Sequence, residues 1–123
     1  MTTEHIALTA MLDTDDLGSA RAIAAAIRER AAGGLPAVRA MGVALPSRGV
    51  TQVSMNLLDY RRTSPRAVME RLDAETARRG LGIAGYELVG CAPSDALDET
   101  ARAHIRDLRP TQLLDPRLFA STP

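Results

Sequence analysis

Hydrophobic and polar residues alternate near the start of the chain, at positions 5–12. Ile6, Leu8, Ala10 and Leu12 fall on one side of this segment. Alternation with a period of two is typical of a β-strand that buries one of its faces. The segment is therefore predicted to form the first strand of a sheet.

A helical pattern follows this strand. Apolar residues recur at intervals of three and four from residue 17 to residue 31, namely Leu17, Ala20, Ala24, Ile27 and Ala31. Such spacing places them in one stripe along a helix. The acidic run at 13–16 supplies a helix cap and suits the positive end of the helix dipole. Gly33 and Gly34 predict that the helix ends near residue 32, because glycine accepts the left-handed backbone of many helix ends.

Three more strands are predicted at 37–45, 50–58 and 81–89. The short turn at 46–49 makes the first two of these a hairpin. A second helix is predicted to begin at Ser64 and Pro65, which form a good pair of cap and first-turn residues. Its inner stripe consists of Val68, Leu72 and Thr76, with Met69 beside them, and it should end at Gly80 or Gly82.

A third helix is predicted between Ser94, as its cap, and Pro110, which stops it. Its apolar stripe would be Leu97, Ala101, Ile105 and Leu108. The tail that follows, 111–123, is punctuated by proline. Four apolar residues of the tail are expected to dock on the body, namely Leu113, Leu114, Leu118 and Phe119.

The order of predicted elements is strand, helix, strand, strand, helix, strand, helix. This is the split βαβ pattern of the ferredoxin-like sandwich, with one additional helix at the C-terminal end. We therefore expect an α+β fold in which one antiparallel four-stranded sheet carries both main helices on one face. The chain, 1–123, is predicted to form a single domain. The opposite face of the sheet would be bare, and something must cover it unless it is polar.

Composition excludes several classes of function. The 15 basic residues balance the 15 acidic ones, so no global field is available to hold nucleic acid or an anionic membrane. Every basic residue is arginine, which excludes a lysine Schiff base and a P-loop lysine. With one cysteine and two distant histidines, we expect no disulfide within the chain and no metal site. The start of the chain is a poor signal peptide and no apolar run is long enough for a membrane span, so a cytoplasmic location is expected.

The third predicted strand carries three polar side chains on its outer face, Gln52, Ser54 and Asn56. Fixed amide and hydroxyl groups on a rigid strand are how small-molecule sites hold the orientation of a ligand. The alternative is that these groups are merely solvated.

On the fourth strand, Glu87 belongs to the same outer face, among Ile83, Gly85 and Val89. Its carboxylate could bind a cation or an amine, or act as a general acid or base, although a surface glutamate or an interface ion pair is the more common role. The first strand adds His5, Ala7, Thr9 and Met11 to this face, and His5 is a candidate for ligand contact. A face of such mixed polarity is more typical of an interface or a pocket wall than of free surface.

Residues 49–60, which contain the sequence QVSMN, and the later ELVG at 87–90 resemble the glutamate formimidoyltransferase (formiminotransferase) family. The supporting segments at 12–17, 22–28, 34–36 and 40–43 fall in the order of that family, as do Pro93, Ala96 and Leu97. The resemblance covers nearly the whole chain and is to the C-terminal subdomain of the family.

The resemblance implies a transferase that moves a formimidoyl or formyl group between tetrahydrofolate and glutamate. In the family, two α/β subdomains face each other through their sheets and folate lies between them. The resemblance therefore implies that Gln52, Ser54, Asn56 and Glu87 face the ligand or the partner subdomain. The family's catalytic histidine belongs to its N-terminal subdomain, which this sequence lacks. Where the family has asparagines on its first strand, this chain has Thr9 and Met11.

Three hypotheses follow from the resemblance and the bare sheet face. The chain acts with a separate partner chain that supplies the N-terminal half, or as a homodimer that closes two bare faces over a small-molecule ligand, folate or another. The third hypothesis is a non-enzymatic module that binds folate or another small ligand, or serves assembly. Glu87 is the predicted acid, base or amine contact. The residues predicted to orient a ligand are Gln52, Ser54, Asn56, Thr9 and His5.

Overall fold

Strand β1 (Ile6–Leu12) lies inside a four-stranded sheet, between β3 (Val50–Leu57) and β4 (Ile83–Val89). Strand β2 (Val38–Leu45) forms the edge next to β3, and the strand order is β2–β3–β1–β4. Each neighbouring pair is antiparallel. This computed structural model describes residues 5–118, without the side chain of Leu118. The predicted α+β, ferredoxin-like sheet is confirmed.

Two helices cover one face of the sheet: α1 (Leu17–Ile27) and α2 (Pro65–Arg78). The core between the layers is aliphatic, and each strand contributes every second residue to it. Its largest fully buried side chains are Ile6, Leu8, Leu12, Ile23, Ile27, Met55, Leu57, Leu72, Val38, Val53, Val68 and Thr51. The other face of the sheet carries no helix of the described chain, as the sequence pattern predicts.

Helix α1 begins where the sequence predicts but ends earlier. The Asp16 side chain accepts from the backbone N–H groups of Gly18 and Ser19, which makes it the N-cap. The helix ends at Ile27 and not near residue 32, because the Glu29 N–H donates to the carbonyl of Val38 at 3.2 Å. That bond draws the chain to the edge of β2. The two glycines lie in the following loop, so their predicted role as the helix stop is wrong.

Helix α2 begins and ends where the sequence predicts. Ser64 caps it through a hydrogen bond from the Ala67 N–H, and Pro65 occupies its first turn. The predicted inner stripe, Val68, Leu72 and Thr76, is buried, and so is Met69 beside it. The helix ends at Arg78, next to a Gly80 with a φ of 70°.

The segment after β4 differs from its prediction. It contains a two-residue strand β5 (Ala92–Pro93), a 3₁₀ turn at Ser94–Ala96, a short helix α3 (Glu99–His104) and a strand β6 (Leu113–Leu114) that pairs in parallel with β5. The cap of α3 is Asp98 and not Ser94, since Leu97 is extended (φ −117°, ψ 111°). Leu113 packs against the core as predicted. The predicted docking residue Phe119 lies outside the described residues.

Helix α3 stops before the predicted end because Ile105 leaves it to lie beside β4. Ile105 has an extended backbone and forms a parallel bridge with Tyr86. Within residues 5–118, no helix is long and apolar enough to cross a membrane. The cytoplasmic location stays a prediction.

Candidate functional site

The sheet face opposite the helices, called the open face here, brings the predicted site residues of three strands together. Thr9 of β1 pairs with Ser54 of β3 on one side and with Glu87 of β4 on the other. Met41 of β2 pairs with Ser54 and extends the row to the edge of the sheet. Because directly opposed residues of antiparallel strands point to the same face, these four side chains form one continuous row.

Two further rows flank this central row. Arg39, Asn56, Ala7 and Val89 form one of them. Val43, Gln52, Met11 and Gly85 form the other. The register thus confirms that Gln52, Ser54 and Asn56 share a face with Glu87 and Thr9. Their roles toward a ligand stay predictions.

The polar side chains of β3 are accessible and uncommitted. Gln52 and Ser54 are half-buried and Asn56 is exposed. Within residues 5–118 none of the three has a side-chain hydrogen-bond partner. Their donors and acceptors are therefore available to a molecule that lies on the open face.

Thr9 and His5 differ in their access to the face. Thr9 is only 6% exposed, since it lies on an inner strand between two neighbours. His5 is exposed and precedes the first paired residue of β1, Ile6. The structure therefore brings Thr9 into the central row and leaves His5 outside the paired part of the sheet.

Glu87 lies at the border between the open face and a larger pocket. Its side chain is half-buried and has no hydrogen-bond or ion-pair partner among residues 5–118. The pocket has a volume of about 610 Å³ and lies between β4 and the segment that follows α3. It is lined by Glu87, Leu88, Val89, Arg106, Asp107, Leu108, Arg109 and Gln112.

A second, smaller pocket lies at the opposite edge of the open face. It has a volume of about 200 Å³, and Arg39, Met41, Ser54 and Asn56 line it together with Ala40. The guanidinium of Arg39 and the amide of Asn56 come from neighbouring strands, because these two residues are paired. This corner offers a cation, an amide and a hydroxyl beside one apolar side chain.

Sequence reasoning missed Arg106 and Arg39. Arg106 reaches the sheet only because Ile105 lies beside β4, which is a tertiary relationship with no local sequence pattern. One signal was present: a glycine inside a strand, here Gly85, often marks the close approach of another group. Arg39 could have been found from the alternation of β2, whose outer positions include Met41.

Two ionisable side chains on the helix side of the sheet, those of Tyr86 and Glu75, stabilise the fold. Burial raises the pKa of Tyr86, and the nearby Asp73 carboxylate adds to this effect. Bonds from Arg79 and Arg71 lower the pKa of Glu75, whose side chain is 5% exposed. Within the described part of the chain, no three His, Cys, Asp or Glu side chains lie close enough together to hold a metal ion.

The chain is similar to proteins of known name. Residues 8–117 match the formiminotransferase domain family. The glutamate formimidoyltransferase of Streptococcus pyogenes is 35% identical over 101 residues, which are 82% of this chain and 33% of the relative. The glutamate formimidoyltransferase of Thermoplasma acidophilum is 34% identical over 101 residues, which are again 82% of this chain and 33% of the relative. The formimidoyltransferase-cyclodeaminase of Gallus gallus is 34% identical over 74 residues, 60% of this chain and 14% of the relative.

These relatives are transferases of a one-carbon group by name, and the chain spans about a third of the length of the first two. The match begins at Leu8, within β1, and runs to residue 117, so it includes all three rows of the open face except Ala7. Family membership, predicted from QVSMN and ELVG, is confirmed. This chain belongs to the formiminotransferase domain family.

Proposed function

We propose that the chain supplies one wall of a ligand cleft for folate-linked transfer of a formimidoyl or formyl group, and that this wall is the open face. One observation carries the proposal: polar side chains without partners lie beside exposed apolar ones on the same face. Met41 is 60% exposed and Val89 is 59% exposed, at opposite sides of the face. A face of this composition is typical of a binding or interaction surface.

The amides of the open face suit a flat heterocycle. Each amide side chain offers both donors and an acceptor, so Gln52 and Asn56 can pair with a ring that alternates the two, as the pterin of folate does. Ser54 lies between them on the same strand and adds a hydroxyl. These are the residues that would hold tetrahydrofolate. Thr9 and Met11 stand where the resemblance implies asparagines, so β1 offers no amide on this face and the role falls to β3.

A second wall is needed to enclose such a ligand. Sites for drug-sized ligands measure about 300–1,000 Å³, whereas the pocket beside Ser54 and Asn56 measures about 200 Å³. The apolar side chains of Met41 and Val89 would pack against whatever covers the face. We propose that the cover is another sheet, from a second copy of this chain or from a separate chain that supplies the N-terminal half.

Glu87 is the residue proposed to move the proton. Transfer of a formimidoyl group between two amines breaks one carbon–nitrogen bond and forms another. The attacking nitrogen loses a proton and the leaving nitrogen gains one. The Glu87 carboxylate can accept the first proton and return it to the leaving nitrogen, so that it ends in its starting state. It is the cross-strand partner of Thr9, which puts it in the row that the ligand would cover.

Two measurements test the proposal. Light scattering gives the mass of the chain in solution, alone and with tetrahydrofolate. A nuclear magnetic resonance titration with tetrahydrofolate locates binding, with shifts expected at residues of β3 and β4. We expect Asn56→Ala to weaken binding about tenfold, the loss of one or two good hydrogen bonds. Ser47→Ala, in the exposed turn after β2, is the matched control and should bind normally.

The outcomes separate the alternatives. A dimer that binds tetrahydrofolate and transfers the formimidoyl group supports the homodimer. Binding only after addition of a separate N-terminal-half chain supports the two-chain enzyme. Binding without turnover in either form indicates the non-enzymatic module. Shifts confined to α1 and α2, or unchanged affinity in Asn56→Ala, would contradict the open face as the site.

A further inference from the structure

The pocket between β4 and the segment that follows α3 is a second candidate site, and it borders the open face through Glu87 and Val89. Its outer wall is the segment 105–112, called the arch here, which leaves α3 and runs beside β4. We propose that the arch pocket binds a small molecule bearing a carboxylate, with the guanidinium of Arg106 as its main contact. The proposal does not depend on formimidoyl transfer, because every residue that lines this pocket belongs to the described chain.

The arch is fixed at both of its ends. At the start, the Arg106 N–H donates to the carbonyl of Tyr86 at 2.8 Å. At the end, Nε2 of the buried Gln112 donates to the carbonyls of Leu88 and Gly90, at 3.1 and 2.8 Å. The Gln112 Oε1 also accepts from the Arg109 N–H at 3.0 Å. The pocket wall is thus held to the outward carbonyls of β4 and is already formed without a ligand.

Gly85 creates the place for the Arg106 side chain. A Cβ built on Gly85 would lie 2.4 Å from Cδ of Arg106 and 3.1 Å from its Cγ. Any larger residue would therefore push the arginine away from the sheet. With glycine there, the side chain of Arg106 lies against the strand, with its Cγ, Cδ and Nε atoms nearest to Gly85. A glycine in a strand commonly allows such a close approach.

The donors in the pocket have no partners of their own. The side chains of Arg106 and Arg109 make no hydrogen bond or ion pair with any residue of 5–118. In an antiparallel pair, the N–H and C=O of one residue point in the same direction. Since the Leu88 carbonyl points to the arch, the Leu88 N–H does so too, into the same pocket. A guanidinium fork and a backbone N–H together form a good receptor for a carboxylate.

The charges in the pocket favour a carboxylate over phosphate. Glu87 and Asp107 also line it, so the two cations are balanced by two anions. A dianion would meet both carboxylates, whereas a monoanion can lie against Arg106 and Leu88. A guanidinium group can form paired hydrogen bonds with a carboxylate or with a phosphate. The charges of the other residues in the pocket therefore decide which of the two anions binds better.

The test uses the whole chain and acetate as the probe, followed by nuclear magnetic resonance at constant ionic strength, with chloride as the reference anion. Saturable shifts are expected at the Leu88 N–H and at the Arg106 Nε–H. Arg106→Ala should raise the dissociation constant about tenfold, the effect of losing a charged hydrogen-bonded pair. Gly85→Ala keeps every charge but displaces Arg106, and it should weaken binding to a similar extent. Arg62→Ala, at an exposed arginine elsewhere, is the control and should bind normally.

Each outcome decides the question. Saturable acetate binding that is weakened about tenfold in both variants and unchanged in Arg62→Ala supports the site. If Gly85→Ala does not fold, Arg106→Lys replaces it, since lysine keeps the charge but lacks the fork. Equal shifts with chloride, tighter binding of inorganic phosphate, or full acetate affinity in Arg106→Ala would overturn the proposal. The absence of tetrahydrofolate binding or transfer activity would leave these readouts unchanged, so this test fails separately from that of the proposed function.

Discussion

Thr9 and Glu87 are direct cross-strand partners on the open face, yet they differ in access. Thr9 is 6% exposed, whereas Glu87 is half-buried and borders the arch pocket. The carboxylate therefore lies where a ligand on the sheet and a ligand in the pocket could both reach it. Thr9 shapes the floor of the face, and Glu87 is the group of this pair that can carry chemistry.

Replacement of Glu87 by glutamine tests this assignment. Glutamine has nearly the same shape but cannot accept and return a proton. We expect the proposed formimidoyl transfer to fall about 10²–10⁴-fold, the usual contribution of general acid–base catalysis. The free energy of unfolding should change by less than about 0.5 kcal/mol, because Glu87 has no partner in residues 5–118 to lose.

Steady-state rates and urea unfolding measure these two effects. Glu70→Gln is the matched control, since Glu70 is an exposed residue of α2 on the opposite side of the sheet. Unchanged transfer in Glu87→Gln would show that another group moves the proton.

Replacement of Met41 by glutamate tests whether the open face is covered by another chain. Met41 is 60% exposed at the β2 edge, and a buried interface would have to desolvate the new carboxylate. We expect the assembly to dissociate, with an increase in its dissociation constant of at least about tenfold. Light scattering over a concentration series gives the mass. Ala22→Glu adds the same charge on the exposed side of α1 and should leave the mass unchanged. An assembly that tolerates Met41→Glu must use another surface.

The sequence predicted the faces of β1 and β3 because their alternation is regular. A period of two determines which side chains share a face, and a sheet with helices on one side needs one apolar face. Ile6, Leu8, Val53 and Met55 therefore went to the core, and Gln52 to the open face, as predicted.

The sequence failed where a contact from elsewhere in the chain competes with a local pattern. The apolar stripe of α1 continues to Ala31, but the bond from the Glu29 N–H to the Val38 carbonyl ends the helix at Ile27. The stripe of α3 likewise includes Ile105, which bridges to Tyr86 as an extended residue. Because Arg106 follows Ile105, the incorrect prediction of a helix at this point also prevented prediction of the arch pocket.

The buried carboxylate of Glu75 predicts a loss of stability in acid. It accepts from Arg79 at 2.8 Å and from Arg71 at 3.1 Å, and these bonds hold its pKa below the ordinary 4.5. The folded chain therefore binds this proton less readily than the unfolded chain. The stabilisation is present above the unfolded value and is lost as the pH falls through the lowered pKa of the folded state.

Glu75→Gln should therefore lower the free energy of unfolding at pH 7 by about 1–3 kcal/mol, the cost of losing charged hydrogen bonds to a buried group. The difference from the unmodified chain should shrink as the pH falls below 4.5. Urea unfolding at a series of pH values measures it. The exposed pair of Glu70 and Arg66 is the comparison, and Glu70→Gln should cost less than about 1 kcal/mol at any pH. A constant difference at all pH values would contradict the role of the Glu75 charge.

Gly42 predicts a strong destabilising effect of adding a single methyl group to a sheet residue. A Cβ on Gly42 would lie 2.6 Å from the backbone nitrogen of Arg21 and 2.7 Å from the carbonyl carbon of Ala20, so α1 rests directly on β2. Backbone atoms of a helix cannot move aside as a side-chain tip can. Gly42→Ala must therefore lift α1 from the sheet, and we expect it to cost about 1–3 kcal/mol of the free energy of unfolding. Gly18→Ala is the control, because its nearest neighbour would be an Asp16 oxygen at 3.5 Å and alanine favours the helix. Urea unfolding that finds Gly42→Ala as stable as Gly18→Ala would show that α1 does not pack this closely in solution.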